Sequence, residues 1–169
     1  MTAILATKIN IVLSAAYEDT DDIDPRLGSL AFAIADSLAD GTADNQADLF
    51  FADRRTLTAT SEDLDLAGSL TDAKGTTLTF VEIVAILIHN RSTTATEKLA
   101  VGGAAANQFI NWVANSSDIV NIGPDGILLL WSPVDGYGVT AGTGDLLKID
   151  AGSDTIIYDI LLVGRSAAS

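Results

Sequence analysis

The sequence predicts an all-β protein, an antiparallel β-sandwich or jelly roll with an N-terminal arm and at most one short helix. Segments rich in β-branched and aromatic residues recur at roughly ten-residue spacing, and turn residues separate most of them. Several of these segments are apolar on both faces, which indicates strands that are covered on both sides. No internal repeat is evident, so we do not expect a solenoid or a propeller.

The first residues are expected to form an arm. We assign residues 1–24 to an N-terminal strand or arm with an acidic loop, and residues 25–169 to a single sandwich domain. Lys8–Leu13 is rich in Ile and Val, which favours a strand that pairs with a neighbour. The loop that follows contains five acids: Glu18, Asp19, Asp21, Asp22 and Asp24. Their spacing does not match a calcium loop, so we interpret the segment as a solvated loop, with a cation site as the alternative.

Residues 27–38 fit either a helix or a strand. Asp24 as N-cap, Pro25 at the first helical position and Gly41 beyond the end indicate a helix. Alternation indicates a strand, on which one acid interrupts an otherwise apolar face. That face consists of Leu30, Phe32, Ile34, Asp36 and Leu38. We favour the strand.

The next segments are a turn-rich connection and two strands. The acids of Asp40–Asp48 suit turn hydrogen bonds, with cation binding as the less common use. Leu49–Thr60 and Glu62–Leu66 alternate as strands do. The first carries the only adjacent basic pair, Arg54 and Arg55. In so acidic a chain we expect these arginines to form salt bridges, within the subunit or across an interface.

Thr77–Asn90 is predicted to be the central strand. One face carries Val81, Ile83 and Leu87, and the other face is also apolar. An antiparallel strand normally turns one face to water, so we expect a second layer or a second subunit to cover the outer face. The strand ends near His89, the only histidine. We interpret it as a packed or hydrogen-bonded strand-end residue.

The remaining chain reads as short strands and turns. Leu99–Val101 is a predicted strand, and the glycines and alanines after it permit close backbone approach. We expect the next large side chains to be anchored in the core or in a subunit contact: Phe109, Ile110, Trp112 and Val113. Ile119–Ile122 and Ile127–Trp131 are strands around a Gly-Pro-Asp-Gly turn. Leu146–Ile149 and Thr155–Val163 are predicted to form a hairpin.

Composition excludes most chemistry. The absence of cysteine removes disulfides, thiolate metal sites and a cysteine nucleophile. A net charge of −14 repels nucleic acid, and no apolar run approaches the ~20 residues that span a bilayer. A single histidine and the lack of G-x-S-x-G or phosphate-loop motifs disfavour catalysis. We therefore expect no enzyme, no cofactor, no metal, no direct nucleic-acid partner and no membrane partner.

Four segments carry a resemblance to a known family: RTLTATSEDLDLAGSLTDAKGTTLTF, VGGAAANQF, GPDGILLLWSPVDGYGVTAGTGDLLKI and IIYDILLVGRSA. They resemble a family of small virion structural proteins encoded by tailed bacteriophages. The resemblance implies a virion component whose partners are the major capsid protein or other virion proteins. It implies no catalytic residues.

The function expected from these observations is structural. The first hypothesis is a capsid decoration or stabilising protein that binds the outer head surface as a homo-oligomer, preferably a trimer, because capsids offer three-fold positions. The alternative is a tail, collar or fibre component with a receptor- or carbohydrate-binding role on its glycine-rich loops. The interface candidates are Arg54, Arg55, Val81, Ile83, Leu87, Phe109, Trp112 and Trp131.

Overall fold

A computed structural model describes residues 5–18 and 27–169, with side chains except at positions 17, 18 and 27. The described residues form eleven strands and no helix. The strands are β1 (Thr7–Glu18), β2 (Leu27–Leu38), β3 (Leu49–Thr58), β4 (Ser61–Asp65), β5 (Glu82–Asn90), β6 (Leu99–Gly102), β7 (Ile119–Ile122), β8 (Ile127–Trp131), β9 (Tyr137–Gly138), β10 (Leu146–Asp150) and β11 (Thr155–Arg165). The all-β prediction is therefore confirmed.

The body of the protein is a sandwich of two antiparallel sheets. The front sheet has the strand order β3-β11-β5-β8, with β9 pairing the start of β5. The back sheet has the order β4-β10-β6-β7. Alternate apolar side chains of both sheets meet in one core, for example Ile86 and Ile160 from the front and Leu147 and Ile149 from the back. Burial of these aliphatic side chains is the main stabilising contribution.

The remaining two strands form a separate hairpin, which we call the arm. All residues of β1 pair with β2, from Thr7 opposite Leu38 to Glu18 opposite Leu27. The strand prediction for residues 27–38 is confirmed, and the helix alternative is wrong. Because β2 pairs with β1, the arm extends to Leu38, beyond the boundary drawn after residue 24. The acidic loop between the two strands lies outside the described residues, apart from the backbone of Glu18.

β5 is the central strand of the front sheet, but it is shorter than predicted. It begins at Glu82 and not at Thr77. A β-bulge opposite Val163 and Gly164 changes the register, so that Ala85 pairs with Val163 and Ile83 with Gly164. A Cβ on Gly164 would lie 2.3 Å from the Glu82 carbonyl oxygen, so only glycine fits this approach. Beyond the bulge, Ile86 and Ile88 face the core.

One predicted strand pairing is wrong. β10 pairs with β4 and β6 in the back sheet, whereas β11 pairs with β3 and β5 in the front sheet. The connection 151–154 therefore crosses between the sheets and closes no hairpin. Ala151 is buried in the core at this crossing, and its amide donates to the Thr60 carbonyl oxygen at 3.1 Å. These contacts hold the chain between the layers.

Candidate assembly surface

The arm has one face of mostly large apolar side chains and one face of small or polar ones, apart from Val12, which is 69% exposed. Alternate residues of paired strands share a face, so the pairs Ile11–Ile34, Leu13–Phe32 and Ala15–Leu30 lie side by side. Three of these side chains are strongly exposed: Leu13 by 71%, Leu30 by 75% and Phe32 by 57%. Large contiguous apolar patches are rare on monomers and mark interaction surfaces.

The outer face of the front sheet carries a second apolar surface. The register aligns two rows of outward-facing residues across all four strands. The first row is Phe50, Val163, Ala85 and Trp131, and the second is Ala52, Leu161, Leu87 and Leu129. We call these the apolar rows. Phe50 and Ala52 are exposed, and Leu87, Leu129, Trp131 and Leu161 are half-buried.

A charged row borders the apolar rows. It contains Arg54, Asp159, His89 and Ile127. Arg54 Nε donates to Asp159 Oδ1 at 2.6 Å, and Arg91 Nη1 donates to Asp159 Oδ2 at 3.1 Å. The hydrogen bond from Arg54, supported by Arg91, lowers the pKa of Asp159 to about 2. His89 Nε2 lies 3.1 Å from Asp125 Oδ1, so the histidine is a hydrogen-bonded strand-end residue, as predicted.

A groove separates the base of the arm from the front sheet. Its volume is about 360 Å³, and it is lined by Leu5, Thr7 and Ile9 on one side and by the apolar rows on the other. Trp131 Nε1 donates to Asp36 Oδ2 at 3.4 Å, which connects the sheet to the arm. The Leu5 amide donates to Asp40 Oδ1 at 2.9 Å and holds the start of the arm. At this base, Leu5 and Leu38 pack in one cluster with Val163, Ala85 and Trp131, so the arm covers part of the first apolar row.

The outer face of the back sheet is different in character. Asp63, Lys148, Asp150 and Asn121 project from it. Lys148 Nζ contacts Asp150 Oδ2 at 2.9 Å. The outer face of the back sheet is thus mostly polar, with Ile119 as an exception at 53% exposure, while the outer face of the front sheet carries the apolar rows beside the charged row. This asymmetry is what one expects of a protein with one solvent-facing side and one contact side.

A buried ion pair fixes the end of β11 beneath this surface. Arg165 is fully buried, and its Nη1 donates to Glu82 Oε2 at 2.7 Å. The same guanidinium donates to three carbonyl oxygens from other parts of the chain: Gln46, Pro133 and Val134. The pair joins β5, β11, the connection before β3 and the loop after β8.

A second polar cluster lies at the margin of the core. Arg55 Nε donates to Glu62 Oε2 at 2.8 Å, and Arg55 Nη1 contacts Asp53 Oδ2 at 2.8 Å. Tyr158 Oη donates to Glu62 Oε1 at 2.7 Å. Burial and this hydrogen bond raise the pKa of Tyr158 above its ordinary value. Because Glu62 belongs to the back sheet and the others to the front sheet, the cluster connects the two layers.

The interface candidates named from sequence fall into three groups. Leu87, Trp131 and Arg54 lie on the outer face of the front sheet, where the apolar and charged rows bring them together. Ile83 and Phe109 are buried in the core, and Arg55 points to the sandwich margin. Val81 and Trp112 are half-buried, and Trp112 packs against the core. The salt bridges predicted for Arg54 and Arg55 are present within the chain.

Sequence reasoning missed several residues of this surface. Leu13, Phe50 and Leu161 lie on segments predicted to be strands, but their common surface depends on pairings across distant parts of the chain. Arg165 and Glu82 carried a signal: each is a charged residue within an apolar strand, and a buried charge requires a partner.

Acids of the turn-rich connection accept hydrogen bonds from other parts of the chain. Asp48 accepts hydrogen bonds from the amide and hydroxyl of Ser166, and Asp40 accepts one from the amide of Leu5.

Within residues 5–18 and 27–169, no three His, Asp or Glu side chains are grouped to hold a metal ion. In the same part of the chain, no helix is long and apolar enough to cross a membrane.

Comparison with protein-family models, curated proteins and solved structures finds no match for this chain.

Proposed function

We propose that this protein is a structural component of a bacteriophage virion, a decoration protein that binds the outer head surface as a homo-oligomer. The observation that carries the proposal is the contrast between the two outer faces of the sandwich. The outer face of the back sheet is mostly polar and exposes one large apolar side chain, Ile119, whereas the front sheet and the arm expose several. A shell protein uses such a contrast, because one side contacts neighbours and the other faces solvent.

Two further features support this function. The net charge of −14 limits aggregation of copies held at high local density. The family resemblance of the segments around β8 and β11 points to a virion component. The mechanism is mass action: a protein that binds only the assembled lattice stabilises it in proportion to occupancy. A trimer on three-fold positions of the lattice is the preferred arrangement.

Cryo-electron microscopy of the intact particle tests the proposal. We expect density for this chain at many equivalent positions over the head. Heads lacking the protein should rupture at a lower temperature, and added protein should restore the wild-type temperature. A copy number of a few at one vertex would overturn the decoration role and favour the tail, collar or fibre alternative.

A further inference from the structure

The arm packs against the body at one end, which we call the arm base and define as residues 5–9 and 36–47. There, Leu38 is buried, and Leu5 packs in the same cluster as three residues of the front sheet: Ala85, Trp131 and Val163. Trp131 Nε1 also donates to Asp36 Oδ2 at 3.4 Å. Burial of this apolar area stabilises the attachment of the arm base to the sheet.

Hydrogen bonds to the body hold the part of the arm base that follows β2. The Asn45 amide donates to the Pro133 carbonyl oxygen at 2.7 Å. Arg165 Nε donates to the Gln46 carbonyl oxygen at 3.0 Å, and Nη2 of the same guanidinium donates to Pro133. Because Arg165 is completely buried, these hydrogen bonds are shielded from water. We therefore expect the arm base to open only when the body itself unfolds.

Further from the body lies the outer arm, which we define as residues 12–16 paired with residues 29–33. All ten side chains of the outer arm are exposed. On β1, the residues that line the groove beside the front sheet end at Ile9. A two-stranded hairpin with neither a third strand nor a covered face is marginally stable in water.

The side chains of the outer arm add little to the pairing of its strands. Cross-strand contacts between large side chains stabilise a hairpin, and the outer arm has one such pair, Leu13 opposite Phe32. Each of the other four pairs contains Ala or Ser: Val12–Ala33, Ser14–Ala31, Ala15–Leu30 and Ala16–Ser29. Alanine is also depleted in strands. The sequence of the outer arm thus does not compensate for its lack of burial.

We propose that the outer arm opens and closes as a local unit in the free chain, while the arm base and the sandwich stay folded. Opening breaks the cross-strand hydrogen bonds of the outer arm and removes no side chain from the core, since all ten side chains are already exposed. A contact that buries Leu13 and Phe32 would shift this equilibrium toward the closed hairpin. The inference concerns the chain on its own and does not depend on the virion role.

Amide hydrogen exchange of the full chain, followed by mass spectrometry at several protein concentrations, tests the inference. We expect the outer arm to exchange about 100-fold or more faster than the arm base, at a rate that low concentrations of urea leave unchanged. Equal protection of the two parts at every protein concentration overturns the inference, whether both exchange slowly or both exchange fast. Protection of the outer arm that appears only as the concentration rises supports it, because association then closes a hairpin that is open in the free chain.

A disulfide across the outer arm provides a second test, because the chain has no cysteine of its own. Ser14 and Ala31 face each other and are exposed, so the double variant Ser14→Cys with Ala31→Cys forms one cross-strand bridge without opening a cavity. The reduced form of the same variant is the matched control. Oxidation should slow exchange of the outer arm about tenfold or more and leave the arm base and the sandwich unchanged. Exchange of the outer arm that is the same in both forms overturns the inference.

Discussion

Arg165 Nη1 lies 2.7 Å from Glu82 Oε2, and the arginine is completely buried. Removal of one partner from such a pair leaves the other charge buried without compensation. In this protein the guanidinium also satisfies carbonyl oxygens of Gln46, Pro133 and Val134. The interaction thus joins the paired ends of β5 and β11 to the connection before β3 and to the loop after β8.

Arg165→Met should destabilise the body by about 3–5 kcal/mol, because Glu82 then remains buried and unpaired. Equilibrium urea unfolding monitored by tryptophan fluorescence measures the loss. Arg54→Met is the matched control: its salt bridge to Asp159 is largely exposed, so its removal should change stability little. Similar unfolding midpoints for the two variants would contradict the structural role of Arg165.

We expect the salt bridges of Asp159 in the charged row to persist until the pH falls toward 2. The pKa of Asp159 is lowered to about 2 in the folded chain, below the ~3.9 of an unfolded aspartate. Its contribution to stability is therefore complete above about pH 4 and is lost as the pH falls toward 2. Carboxyl-carbon NMR of the wild type should show this low midpoint. Arg54→Met should move the midpoint up toward the ordinary value; an unchanged midpoint would contradict the assignment.

Tyr158→Phe should cost about 1–2 kcal/mol, because the hydroxyl donates a hydrogen bond to Glu62 Oε1 at the margin of the core. The pKa of Tyr158 is raised in the folded state, so its contribution is present below about pH 10 and declines as the pH rises further. The unfolding free energy of the wild type should fall above pH 10 more steeply than that of Tyr158→Phe. Tyr137→Phe is the control, and parallel curves for all three proteins would refute the explanation.

Gly102→Ala should destabilise the back sheet by about 2–3 kcal/mol. Gly102 has φ +105°, and an added Cβ would lie 2.6 Å from the Asp118 carbonyl oxygen. Gly75→Ala separates the two causes, since Gly75 has φ +84° with open space around it. That control should lose about 1 kcal/mol from backbone strain alone. Hydrogen exchange at the β6 and β7 amides should accelerate only in Gly102→Ala.

Local patterns predicted the strands more accurately than their partners. β7 and β8 were predicted with their observed bounds, because the Gly-Pro-Asp-Gly turn separates two short apolar runs. β10 and β11 were also predicted as strands, yet their proposed pairing was wrong. A turn-rich connection of this length fits a hairpin and a crossing between sheets equally well. Only the burial of Ala151 and the register with distant strands distinguish them.

The apolar second face of the central strand was predicted, but the surface it belongs to was not. Leu87 meets Leu161 on one side and Leu129 on the other through pairings that span much of the chain. No local period contains that information. Covering of the front sheet by a neighbour stays a prediction. The same holds for the virion role.

The pairing of β3 with β11 constrains the order of events during synthesis. Arg54 and Asp159, which face each other on these strands, are 105 residues apart in sequence. The arm pairs strands that are close in sequence, whereas the front sheet cannot form before β11, which is synthesised after β3, β5 and β8, so its folding is expected to be slow. Each apolar row needs a residue from that strand. A chain synthesised only as far as β8 can therefore form the arm but not the apolar rows.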